Sequence, residues 1–204
     1  MLKNCIGRPY SDERWPGGPQ IIPGKVFCAC YDLGGEGVAF HDTTGVNQGS
    51  GKLNPLDGAY LNEFRKNEAV DTSYTKPGGI DDSPYNRVQP EMGMLYVGWT
   101  EPGEWVNYTV DVKRTGDYSV SLLYTSRMGG AVSLSVDGRD ATGPVSVEST
   151  FDAKDDVAWR QWHHWNRAEG IASVRFHKGL HVLTLNTVEN GQMNYACLEF
   201  EPTT

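Results

Sequence analysis

Positive charge is in short supply in this chain of 204 residues: Lys+Arg number 18 against 26 Asp+Glu, a formal net charge of -8. A nucleic-acid partner usually leaves a basic patch in the sequence, and none is present. An anionic polysaccharide would meet the same unfavourable field, so neutral ligands fit better. No apolar run approaches the roughly 20 residues of a membrane span. The first ten residues lack the apolar stretch of a secretory signal. Either the chain works in the cytoplasm, or a signal and further domains lie outside this sequence. Cysteine is scarce, with only Cys5, Cys28, Cys30 and Cys197. Their spacing matches no zinc pattern, which leaves buried free thiols as the expectation over a disulfide. Also missing are an internal repeat and any long amphipathic helix.

Turn formers and aromatics are what the chain has in quantity: 24 Gly, 11 Pro and an aromatic fraction of 11%. Stretches rich in β-branched and aromatic residues predict strands at 25–31, 37–41, 95–99, 105–112, 118–125, 131–136, 145–147, 172–177, 181–188 and 194–200. Turn signals separate them, among them Asp137-Gly138 and the Thr115-Gly-Asp segment. Near-perfect alternation in Tyr118-Ser-Val-Ser-Leu-Leu-Tyr marks half-buried strands. Short strands at hairpin spacing predict an all-β, two-sheet sandwich of jelly-roll type. Residues 1–21 read as a surface leader or linker, and 22–204 as one domain. Within it, 43–92 is a long excursion dense in Asn, Asp, Gly, Pro and Tyr. A structureless loop of that length is unusual, so it is expected to pack on the sandwich through Tyr60, Phe64, Tyr74 and Tyr85, with short strands inside.

Three of the six tryptophans crowd into Trp159-Arg-Gln-Trp-His-His-Trp. Read as extended chain, this puts Trp159, His163 and Trp165 on one face and Arg160, Trp162 and His164 on the other. One face can feed a core while the other offers a flat ring to a ligand. Sugars suit such a ring, because their axial C–H faces are apolar. Buried core is the alternative for each ring. His163 and His164 are expected to satisfy local hydrogen bonds rather than bind metal, since no third ligand sits at a useful spacing. Trp105 and Tyr108 are assigned to the core.

Five segments follow one another in order: Tyr31-Asp-Leu-Gly-Gly-Glu-Gly-Val-Ala-Phe-His-Asp, Val97-Gly-Trp-Thr-Glu-Pro-Gly-Glu-Trp-Val-Asn-Tyr, Trp159-x-x-Trp, Lys178-Gly-Leu-His-Val-Leu-Thr-Leu and Met193-Asn-Tyr-Ala-Cys-Leu-Glu-Phe. Together they resemble the family-6 carbohydrate-binding modules. The resemblance runs from about Ile22 to Phe200, with 43–92 and 151–158 longer than usual. It implies a lectin-like sandwich of the galactose-binding-domain kind, not itself an enzyme. Such a module targets a glycoside hydrolase, in cis or in trans, to a neutral oligo- or polysaccharide outside the cell or at its surface. It offers two sites, a loop-edge cleft and the concave face of one sheet. In the cleft two rings sandwich a sugar, which carries over to Trp99 and Trp159. The asparagine at its base carries over to Asn194, and Glu101 and Glu104 flank the Trp99 loop as candidate lining. An amide offers donor and acceptor together to vicinal hydroxyls.

The family also implies a structural calcium, held by acidic or amide side chains in the first and last strands. Here those positions are Phe27, Ala29 and Ala196, and none supplies the hard oxygen that calcium requires. The site is therefore expected to be lost, with no other cofactor implied. The neighbouring acids Asp81 and Asp82 are a weak alternative. Two rival readings stay open. A glycosidase needs two carboxylates across the scissile bond, for which Glu36, Glu101 and Glu104 are available. A structural or interaction sandwich would result if the 43–92 excursion covered the cleft.

Overall fold

The computed structural model describes residues 7–203, and they form two packed β-sheets. In chain order the strands are β1 (Gln20–Ile22), β2 (Gly24–Phe27), β3 (Phe40–His41), β4 (Thr72–Tyr74), β5 (Leu95–Val97), β6 (Trp105–Val112) and β7 (Gly116–Ser126). They continue as β8 (Gly130–Val136), β9 (Arg139–Asp140), β10 (Val145–Val147), β11 (Asn166–Phe176), β12 (Gly179–Glu189) and β13 (Met193–Pro202). One sheet runs β1-β6-β12-β8-β10, with β3 beside β6 and β9 beside β8. The other runs β11-β7-β13-β5-β4, with β2 beside β13. The first strand of that sheet and the last strand of the chain thus pair antiparallel, Phe27 opposite Cys197.

Period-two alternation builds the core. In β6 every second side chain, Val106, Tyr108, Val110 and Val112, is buried, and in β7 so are Tyr118, Val120, Leu122 and Tyr124. Facing them are Leu183 and Leu185 of β12 and Leu198 and Phe200 of β13, in one cluster between the sheets. Truncating such a side chain to Ala costs about 2–5 kcal/mol. Alternation also corrects one assignment. Tyr108 is core, but Trp105 shares the outward face of β6 with Asn107 and is only partly buried. A strand whose inner face takes Val106 must turn Trp105 out.

Several boundaries differ from the sequence reading: β2 stops at Phe27, β3 shortens to Phe40–His41 and β5 ends at Val97. The end of the leader is a strand: Gln20 and Ile22 are buried, and β1 runs parallel to β6. Tyr10 is also buried, in a second cluster with Ala29, Cys30 and Phe64. β11 begins six residues earlier than expected, because a bulge between Ala168 and Ala172 absorbs Gly170, whose φ is +58°. The excursion adds β4 at the sheet edge. Its Arg65 lies over the ring of Tyr31 at 3.3 Å and donates to the carbonyl of Asp32 at 2.9 Å. Phe64 is buried, Tyr74 donates to Asn62 Oδ1 at 2.9 Å, and Tyr85 stacks on His164.

Cys28, Cys30 and Cys197 are buried and free. Burial pushes the thiol of Cys30 up to about 12 and that of Cys197 to about 11, so neither is a thiolate at neutral pH. Cys5 lies outside the described residues. No helix among the described residues is long and apolar enough to cross a membrane.

Candidate functional site

The segment of clustered tryptophans is not an extended strand. Turn bonds from Arg160 N to Val157 O and from His163 N to Arg160 O, both 2.8 Å, curl it into a loop. A turn spacing replaces the alternating one, so Trp159, Trp162 and His163 share one side. Trp165 is fully buried, with its Nε1–H on Asp81 Oδ1 at 2.7 Å, and His164 turns away to Asp155. The loop is clamped from behind. The buried Asp155 carboxylate accepts Arg160 Nε at 2.7 Å, Arg160 Nη2 at 2.8 Å and His164 Nε2 at 2.8 Å. The Arg160 bonds hold its carboxyl well below the usual carboxylate range. Arg160 also donates to the Gly79 carbonyl, and Tyr85 donates to Lys154 O at 2.7 Å, tying the loop to the excursion.

Trp99 reaches the same place from the end of β5. Its backbone is left-handed, φ +48°, a costly conformation for a large residue. Two contacts hold it there. Its N–H donates to Asn194 Oδ1 at 2.9 Å, and its ring lies against the turn at Gly49–Leu53. A Cβ at Gly49 would sit 2.1 Å from Thr72 O and 3.1 Å from Trp99 Cζ3, so only glycine admits that approach.

Together these elements enclose a cleft of about 530 Å³ lined by Leu53, Lys76, Ile80, Asp81, Tyr96, Trp99, Trp159, Trp162 and His163. Trp159 is 56% exposed at its mouth. Beneath lies a small apolar cluster of Tyr96, Trp165 and Ala196. Lys76 donates to Asn54 Oδ1 at 2.7 Å, and burial lowers its pKa. Four lining residues come from the excursion, which therefore builds walls for the cleft instead of closing it.

Of the five carried-over residues, Trp99 and Trp159 line this cleft and three do not. Asn194 is fully buried and its amide is spent inside the protein. The oxygen takes the Trp99 N–H, and the NH₂ donates to Thr125 Oγ1 at 2.8 Å and His163 Nδ1 at 2.9 Å. In this arrangement Asn194 ties Trp99 to His163 from below the cleft, with no exposed surface of its own. His163 Nδ1 must then be an acceptor, so its Nε2–H donates to Asp81 Oδ1 at 2.7 Å. Glu101 and Glu104 lie across Trp99, in a separate concavity of about 400 Å³ with Thr44, Gln48, Leu53, Asp71 and Gln192. Lys76, Ile80, Tyr96 and Leu53 were not site candidates in the sequence reading, and Trp162 entered it only on the face opposite Trp159. Only Trp162 left a signal there: the i, i+3 spacing of Trp159-x-x-Trp is that of a turn, not a strand.

The carried-over calcium positions do not fit the ion. Phe27 meets Trp15 edge-on at 5.6 Å, Ala29 packs with Tyr10, Cys30 and Phe64, and Ala196 lies under the cleft. These side chains fill the space with carbon and present no oxygen. Asp81 and Asp82 are engaged elsewhere, Asp81 as above and Asp82 with the N–H groups of Gly78 and Gly79.

A two-sheet jelly roll with an aromatic cleft at its loop edge defines a lectin-like binding module. The family described as carbohydrate binding module (family 6) matches residues 71–202, and the chain belongs to it. That family is one of non-catalytic binding modules. A β-1,3-glucan binding family-6 module from Bacillus halodurans has a TM-score of 0.53 at 16% identity, over 90% of this chain and 99% of that one. A family-6 module from Clostridium stercorarium, in complex with cellobiose, gives 0.53 at 12% identity, over 91% and 98%. These likenesses show the fold. A family 43 arabinoxylan arabinofuranohydrolase from Bacillus subtilis gives 0.48 at 18% identity, over 70% of this chain, which spans 26% of that enzyme's length. No curated protein matches the chain.

Proposed function

We propose that this module binds a neutral polysaccharide by seating a sugar ring against Trp99 and Trp159, and so holds an attached or associated glycoside hydrolase on its substrate outside the cell or at its surface. One observation carries the reading: two tryptophans from different loops line one cleft, and one of them keeps 56% of its surface in water. An exposed indole at a cleft mouth has apolar area to lose to a ligand, and sugar C–H faces match it. Tyr96, Trp162 and Leu53 extend that apolar wall, while Lys76 supplies donors for hydroxyls. The module works by binding without turnover. Both oxygens of Glu104 are taken by the Thr43 and Glu101 N–H groups, and Glu101 gives one oxygen to Gln192 Nε2.

The test is titration calorimetry on a panel of neutral polysaccharides, with product analysis of the same mixtures. Trp159→Ala should cost roughly 1–3 kcal/mol of binding, in the manner of an aromatic hot spot. Leu180→Ala, exposed on β12 away from the cleft, is the control. Equal binding by wild type and Trp159→Ala would remove this cleft as the site. Released sugar would mean an enzyme, and a blank glycan array a purely structural sandwich.

A further inference from the structure

The concavity on the far side of Trp99 shares Leu53 and Trp99 with the cleft, so one ridge separates the two. Its other walls are polar: Thr44, Gln48, Asp71, Glu101, Glu104 and Gln192. Their hydrogen bonds sort them. Glu104 is consumed by the fold, one oxygen accepting Thr43 N–H and Oγ1–H and the other accepting Glu101 N–H at 2.8 Å. Asp71 is only 8% exposed, and its Oδ1 accepts the Gln48 N–H at 2.5 Å. Among the described residues nothing donates to its Oδ2. Glu101 Oε1 accepts Gln192 Nε2 at 2.6 Å, while Glu101 Oε2 and Gln192 Oε1 likewise receive no donor. Neither Asp71 nor Glu101 has a basic side chain within ion-pair distance among the described residues.

The backbone brings these acceptors to the ridge on purpose-built turns. Asn190, Gly191 and Gln192 are all left-handed, with φ of +64°, +44° and +50°. A Cβ at Gly191 would fall 2.4 Å from Thr100 O, so this turn is pressed against the Trp99–Glu101 loop. On the opposite wall, Asp71 ties Gln48 to the start of β4 and takes Gly98 N–H on its own carbonyl at 2.9 Å.

We propose that this concavity is a second sugar subsite, in which Asp71 Oδ2, Glu101 Oε2 and Gln192 Oε1 accept the hydroxyls of the residue next to the one held at Trp159. The inference rests on the cleft reading above and deepens it: the ligand is a neutral chain crossing the Trp99 ridge, not a single terminal sugar. The free oxygens of this wall are acceptors, which favours hydroxyls, since they donate, over carboxylate or sulfate substituents, which do not. Burial pushes the Asp71 carboxyl up to about 7.

The experiment titrates neutral saccharides of gluco, xylo, manno and galacto type, from monosaccharide to hexasaccharide. The proteins are wild type, the double variant Asp71→Asn/Glu101→Gln, and Trp159→Ala. The amides keep the internal bonds to Gln48 N–H and Gln192 Nε2 and turn the free acceptors into donors, so the fold is retained, as a melting curve checks. Wild type should gain about tenfold in affinity once the chain is long enough to cross the ridge, the scale of one hydrogen bond to a charged group. The double variant should bind the shortest ligand as wild type does and lose that gain. A gain that survives in the double variant, or no gain with length in any series, overturns the subsite. Undiminished binding by Trp159→Ala overturns the cleft reading instead, and no binding by wild type overturns both.

Discussion

Asn194 accepts the backbone N–H of Trp99 at 2.9 Å through its side-chain oxygen, so a buried residue of the last strand fixes a tryptophan at the loop edge. The same amide donates to His163, below the opposite wall. One side chain therefore sets the spacing of both walls without facing solvent. Asn194→Ala should leave the Trp99 N–H without its acceptor, a loss of about 1–3 kcal/mol in stability. Because the walls move together, binding should weaken by a similar factor for every sugar that binds. Calorimetry over several sugars checks this; a change in preference among sugars with unchanged overall strength would show that Asn194 touches the ligand.

Trp159 and Trp165 should divide by role. Trp165 is fully buried and donates to Asp81, so Trp165→Ala should cost about 3–5 kcal/mol of stability. Trp159→Ala should leave the melting temperature nearly unchanged, because the ring is mostly in water. Denaturant unfolding of the two variants separates them, and equal destabilisation would contradict the assignment.

Stability should rise on mild acidification. Burial raises the carboxyls of Asp42 to about 6 and Asp71 to about 7, from a usual 3.8. A raised carboxyl binds its proton more tightly folded than unfolded, so its charge opposes folding increasingly as pH climbs from 3.8 to about 7. Asp12 and Asp155 are lowered, and their contribution is lost only as pH falls below about 4. Melting temperature should increase from about pH 8 to about pH 5.5 and decline under about pH 4. The pair Asp42→Asn and Asp71→Asn should flatten the upper part of that curve.

Calcium should change the melting temperature little. A ligand specific to the folded state stabilises by RT ln(1 + [L]/Kd), and Phe27, Ala29 and Ala196 give the ion no oxygen. Melting in millimolar calcium against chelator is the measurement. A shift of many degrees would reveal a site built from other groups.

The alternation in β6 and β7 is written in the order of residues, because a side chain two positions along a strand necessarily returns to the same face. Strand existence, the two-sheet class and the pairing of tryptophans Trp99 and Trp159 were legible for that reason and from the ordered family motifs. The burial and hydrogen bonds of Asn194 were not legible. Its type and place suit a ligand contact equally well, and only the positions of Thr125, His163 and Trp99 around it use up its hydrogen bonds. Glu101 and Glu104 were legible as neighbours of Trp99, but the side of the ring on which they fall depends on its left-handed backbone. The excursion's part was hidden altogether. Leu53, Lys76 and Asp81 are ordinary loop residues in sequence, and they become cleft wall because Gly49, Arg65 and Arg160 anchor their segments to the sandwich. Local periodicity is a property of consecutive residues and survives in the sequence, whereas a site assembled from three distant loops exists only once long-range contacts have set their spacing.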